Sequence, residues 1–175
     1  SIFSMQMTFA CQLNTNIVSL SNPITTLLEE LELLHTGKVK AISSFHKTLK
    51  PFKGDALAGG IFLSKATLQK LSDSVVFFDA SKEFEDSLKS SNVKNYVKVK
   101  TIGEDPFTVS NSLISKIKPY VEGCEQNIKK ISEKLVSVKS GLKKKLSRKK
   151  AKIIFFLGSC GDKLPELVIV EDGFV

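Results

Sequence analysis

The first hundred residues alternate short β-branched or aromatic runs with stretches of helical spacing, and this alternation constrains the fold more than any other feature. A strand that returns to its own sheet in parallel needs a crossover connection, usually a helix, so repeated units of this kind give a parallel sheet covered by helices. Residues 16–20 (NIVSL) form the first apolar run and pass directly into Ser21-Asn22-Pro23. There Asn22 suits a helix cap and Pro23 the first helical position. Ile24, Leu27, Leu28, Leu31 and Leu34 then recur at helical spacing with Glu29, Glu30 and Glu32 between them, predicting a helix over 24–35 that Gly37 ends.

Three further strands are expected. Residues 39–42 form the second, followed by a long polar connection containing Pro51, Gly54, Gly59 and Gly60. A short helix over 63–71, capped by Ser64, leads to a buried strand at 75–78. A helix over 81–89 leads to 96–102, where apolar residues alternate with Lys. The region after Pro106 differs in kind. Phe107, Val109, Leu113, Ile114 and Ile117 mark one helical stretch, and Pro119 restarts the pattern. Val121, Cys124, Ile128, Ile131, Leu135, Val138 and Leu142 then repeat at steps of three and four. About 28 helical residues at ~1.5 Å each would make a rod of roughly 42 Å. Beyond it, 153–157 and 167–170 read as two more strands, which alone cannot build a core.

The expected fold class is therefore α/β: an N-terminal parallel-sheet αβ lobe, a long connecting backbone helix, and the start of a second αβ lobe. Residues 1–15 form a signal-peptide remnant or a flexible N-terminus, 16–105 the first lobe, 106–150 the helical segment, and 151–175 an incomplete second lobe. The pattern implies a fragment or shortened member of a larger protein.

Charge narrows the partners. Residues 113–152 hold thirteen Lys/Arg and three Glu, so that segment carries +10 while the rest of the chain carries −2. The only Arg there is Arg148 and the chain has no Trp, which equips it poorly for base readout or for stacking on single strands. Nucleic acid is not an expected partner; the Lys run reads as a solvated helix end. Cys11, Cys124 and Cys160 show neither a disulfide framework nor zinc-ligand spacing, and Cys124 is expected as a small buried apolar group in the rod's seam. No nucleophile elbow, Walker loop or complete dinucleotide fingerprint occurs, so catalysis is not expected.

The order of these segments resembles the class III, long-helix periplasmic substrate-binding proteins of ABC importers. NIVSLSNPITTLLEEL resembles their opening strand and helix, GKVKAISSF the second strand, AGGIF the glycine turn, LQKLSDSVVFFD the next helix and strand, and AKIIFFLG the first strand of the second lobe. The resemblance implies a secreted, periplasmic or cell-envelope binding protein that is not an enzyme. It would carry an iron siderophore, haem or a corrinoid between two lobes and deliver it to an ABC permease. It further implies a monomer without a resident cofactor or metal, touching the membrane only through the permease. Alternatives are an oligomerising role through the heptad helix and membership of the metal-ion branch. Only His35 and His46 are available for that branch.

Ligands of open parallel sheets meet the carboxyl ends of the strands. The residues there, by the resemblance and the strand pattern together, are Ser21, Asn22, Ser44, Phe45, His46, Gly59, Gly60, Phe62, Asp79, Ala80 and Glu104, with Ser159 facing them from the second lobe. Phe45 and Phe62 would give apolar contact and the Ser, Asn and His groups would orient the ligand. Asp79 has a rival reading as the cap of the following helix. Thr26 and Ala66 stand near positions where the family commonly carries the Glu residues that dock on the permease, which leaves docking open.

Overall fold

A computed structural model describes residues 10–58, 63–79, 81–101, 105–147, 153–156 and 167–170. In chain order the elements are β1 (Gln12–Leu13), β2 (Ile17–Ser19), α1 (Asn22–Glu30), β3 (Val39–Ser43), β4 (Asp55–Leu57), α2 (Lys65–Lys70), β5 (Val75–Asp79), α3 (Lys82–Ser90), β6 (Tyr96–Val99) and α4 (Pro106–Ile117). A 3₁₀ turn (Lys118–Tyr120), β7 (Val121–Glu122), α5 (Glu125–Ser147), β8 (Ile153–Phe156) and β9 (Leu167–Val170) follow. Two compact units divide within α5, at Ser132 and Glu133.

The first unit is built on a five-stranded parallel sheet in the order β4-β3-β2-β5-β6. From β2 the chain steps outward to β3 and β4, then crosses back to β5 and β6 on the other side. Helices that follow the two directions fall on opposite faces, because parallel crossovers share one hand. Val18, Leu20, Ala41, Val76 and Phe78 accordingly pack with Leu68 of α2, Leu71 at its end, and Phe84 and Leu88 of α3. On the other face α1 lies against α4, and the Phe77 ring meets Tyr120 edge-on at 5.5 Å. The expected α/β class is thus present: a parallel sheet with helices on both faces.

β4 was not anticipated, because it lies in the polar connection and its residues are largely exposed. As an edge strand it bonds only to β3, so its sequence needs no apolar alternation. Local chemistry sets most helix starts. Ser64 accepts the Thr67 amide, Ser81 accepts the Phe84 amide, and Asp105 accepts the amides of Phe107 and Thr108. The first helix departs from expectation at both ends. Its cap position is Ser21, with Asn22 and Pro23 already helical, and it stops at Glu30 rather than at residue 35.

That early stop has a packing cause. Glu32 is left-handed (φ 61°), with its amide bonded to the Glu29 carbonyl and the Leu33 amide bonded to the Leu28 carbonyl. This is the Schellman arrangement with Glu in the usual glycine place. Continued as a helix, the segment would swing Leu33 to the side opposite Leu28 and Leu31; the left-handed turn instead buries Leu31, Leu33 and Leu34 together. α3 ends the same way, with Asn92 left-handed at φ 58° and the Val93 amide on the Leu88 carbonyl.

The predicted continuous rod is interrupted. After the 3₁₀ turn, β7 pairs antiparallel with β1, Gly123 takes a φ of 66°, and α5 begins only at Glu125, giving 23 helical residues. Asn14 reinforces the pairing through its amide to the Tyr120 carbonyl and its Nδ2 to the Pro119 carbonyl. Cys11 and Cys124 flank this clasp and form a disulfide, with Cα atoms 4.3 Å apart and 113 residues between them in sequence. Cys124 is buried as expected, but as half of a cross-link rather than as an apolar filler. The antiparallel β1–β7 pairing sets these two cysteines side by side, which their spacing in sequence does not suggest.

The second unit comprises the C-terminal part of α5 and the antiparallel pair β8–β9, in register from Ile153 opposite Val170 to Phe156 opposite Leu167. Antiparallel pairing suits the short connection 157–166, since a parallel return needs a crossover of a dozen or more residues.

Candidate functional site

The strand order places β2 and β5 side by side at the point where the chain reverses its direction of winding. In open α/β sheets the crevice at the carboxyl ends of such a pair is where ligands bind. Here Ser21 leaves β2 and Asp79 ends β5, and the Ser21 hydroxyl donates to Asp79 Oδ1 at 2.7 Å. Two residues 58 apart in sequence are therefore joined at the switch point. Ser21 occupies the cap position of α1 without capping it, because its hydroxyl is turned to the carboxylate.

Beneath the pair lies a buried hydroxyl cluster. The Ser19 and Thr25 hydroxyls stand 2.8 Å apart, and each also lies 3.1 Å from the Ser21 carbonyl. Two hydroxyl protons serve three contacts, so the cluster shares them; it also fixes the backbone that carries Ser21. Asp79 is surface-accessible but crowded on its sheet side. Desolvation raises its pKa above the ordinary 3.8, opposed by the hydrogen bond from Ser21. The carboxylate is therefore held at a cost that binding a donor or cation-bearing ligand would relieve.

The next strand end behaves differently. The Ser44 amide bonds to the Leu57 carbonyl, and the amides of Phe45 and His46 turn back to Ser43 Oγ and O at 3.3 and 3.0 Å. This tight turn exposes Phe45 and tucks His46 under it. The imidazole is only 9% exposed, and its Nε2, with no hydrogen bond of its own, faces Glu29 Oε2 at 3.7 Å. The other carboxylate oxygen, Glu29 Oε1, accepts the Leu49 amide at 2.8 Å. Glu29 thus bonds the Leu49 end of the turn 44–49 and lies against the His46 ring at its other end.

Of the anticipated residues, Ser21 and Asp79 are brought into contact, and Asn22 is exposed beside them as the first residue of α1. Ser44 and Phe45 are exposed on the neighbouring turn, whereas the His46 ring faces Glu29. Asp79 does not cap α3; Ser81 does. Gly59, Gly60, Phe62, Ala80, Glu104 and Ser159 lie outside the described residues. Glu29, which the sequence places only between the apolar positions of α1, is committed to the turn; it lies about 100° round the helix from Leu28, so the apolar stripe carries no signal for it. No group of three or more metal-ligating side chains converges among the described residues. Ser21 donates directly to a carboxylate with no imidazole between them, unlike an activated serine nucleophile.

Fold and site together define a doubly wound α/β lobe with a polar switch point. No protein-family model matches the sequence, and no curated protein matches it.

Proposed function

We propose that the chain is a secreted solute-binding protein of the ABC-importer type, taking an iron siderophore, haem or corrinoid at the carboxyl edge of the five-stranded sheet. The observation that carries this reading is the Ser21–Asp79 pair at the switch point, a hydrogen-bonding anchor with a partly desolvated, still accessible carboxylate. The exposed Phe45 beside it offers apolar surface to a large ligand. The Cys11–Cys124 disulfide agrees with an oxidising compartment such as the cell envelope. Asp79 contributes recognition rather than chemistry, and the protein is not an enzyme in this reading.

The test is direct titration of the full chain with haem, ferric siderophores and cobalamin, followed by absorbance or intrinsic fluorescence. A saturable response to one of them that weakens in Asp79→Ala and Phe45→Ala is expected. A flat response to all three refutes the assignment.

A further inference from the structure

We infer that the C-terminal part of α5 is a surface-binding amphipathic helix whose partner is an anionic lipid membrane, a contact independent of the ligand edge. Val136, Val138 and Leu142 are exposed to 65, 48 and 45% on this helix, which is unusual for large aliphatic groups so closely spaced. At 100° per residue, Leu135, Val138 and Leu142 fall on one side, whereas Val136 lies beyond Lys139, off this stripe. The helix is open elsewhere too: a Cβ added at Gly141 would meet nothing within 4 Å.

Charge identifies the partner. Residues 133–152 hold nine Lys/Arg and a single acidic residue, Glu133, a net +8 equal to that of the whole chain. Lys134 and Lys139 border the apolar side, and Lys143 and Lys144 lie on the polar remainder of the helix. If two copies paired along this stripe, Lys134 and Lys139 would face one another across the seam, a like-charge arrangement that opposes self-association. An anionic leaflet suits the same pattern, because Lys stems lie along apolar surface while their ammonium groups reach lipid phosphates. The narrow apolar face favours lying in the interface. No helix among the described residues is long and apolar enough to cross a membrane.

The experiment is flotation of the full chain with vesicles of phosphatidylcholine containing phosphatidylglycerol, against pure phosphatidylcholine, at low and high salt. Binding to the anionic vesicles is expected to exceed that to the neutral ones by at least about tenfold and to fall with salt. Two variants, Val138→Asp/Leu142→Asp and Lys139→Glu/Lys143→Glu/Lys144→Glu, should each lose most of it while keeping the parent circular dichroism. These positions are exposed, and the circular dichroism checks that the helix survives the changes. Absence of binding to anionic vesicles overturns the proposal. So does binding that Val138→Asp/Leu142→Asp leaves intact, which would reduce the effect to diffuse charge. A dimer in sedimentation that this variant abolishes would assign the stripe to a second copy instead. Tighter binding to an acidic peptide than to anionic vesicles would assign it to a protein.

Discussion

Replacing Cys11 and Cys124 together by Ala should cost this protein several kcal/mol. The bond closes a chain segment of 113 residues, almost the whole first unit. Chain-entropy reasoning for a loop of that length gives about 4.8 kcal/mol at 25 °C, with measured losses commonly ~2–5 kcal/mol. At about 4 °C per kcal/mol for a domain of this size, the full value lowers Tm by roughly 20 °C. Both partners are changed so that neither half of the bond is left as an unpaired thiol, and Ala avoids placing a hydroxyl where Cys124 is buried. Urea unfolding of parent and double variant, by circular dichroism, gives the difference, and the slope shows whether the unfolded state has expanded. Thiol alkylation without reductant checks the premise: Cys11 and Cys124 should stay unlabelled. A loss below about 1 kcal/mol with an unchanged slope would refute the claim that this bond restrains the unfolded chain.

Three further outcomes follow from particular residues. Asp79→Asn should leave the protein as stable or slightly more stable at neutral pH, measured by urea titration. The folded-state pKa is raised, so Asp79 favours folding when protonated, and that contribution is lost as pH rises from 3.8 through the raised value. The gain should therefore vanish in acid. Glu29→Ala should release the Leu49 amide, accelerating its hydrogen exchange, and destabilise by about 1–2 kcal/mol, the range for a partly exposed charge-assisted hydrogen bond. Glu32→Gly should raise stability by up to about 1 kcal/mol, since Glu pays for φ 61° where Gly does not. A fall in the urea midpoint would contradict the left-handed turn at Glu32.

Much of the lobe was legible because its central strands declare themselves. Residues 75–78 (VVFF) are buried on both faces, and Ser64 and Ser81 announce the helices they cap. What escaped the sequence depends on contacts between distant segments. β4 and β1 take their identity from a neighbouring strand rather than from their own side chains. The end of α1 turned on where Leu33 had to go, and Glu32 carries no glycine-like warning. Heptad spacing ran unbroken through residue 121, yet the β1–β7 pairing and left-handed Gly123 prevailed over it. At the site, strand ends identified Ser21 and Asp79 as separate candidates. Their hydrogen bond required the strand order. The commitment of Glu29 to the turn 44–49 required the loop conformation, which no spacing rule supplies.

The sulfur bridge between Cys11 and Cys124 also has a mechanical meaning. Tension between anything attached before Cys11 and anything pulling along α5 travels through one covalent link and bypasses residues 12–123. The sheet and its switch point stay unloaded, so the lobe can hang in the line of force without being unravelled.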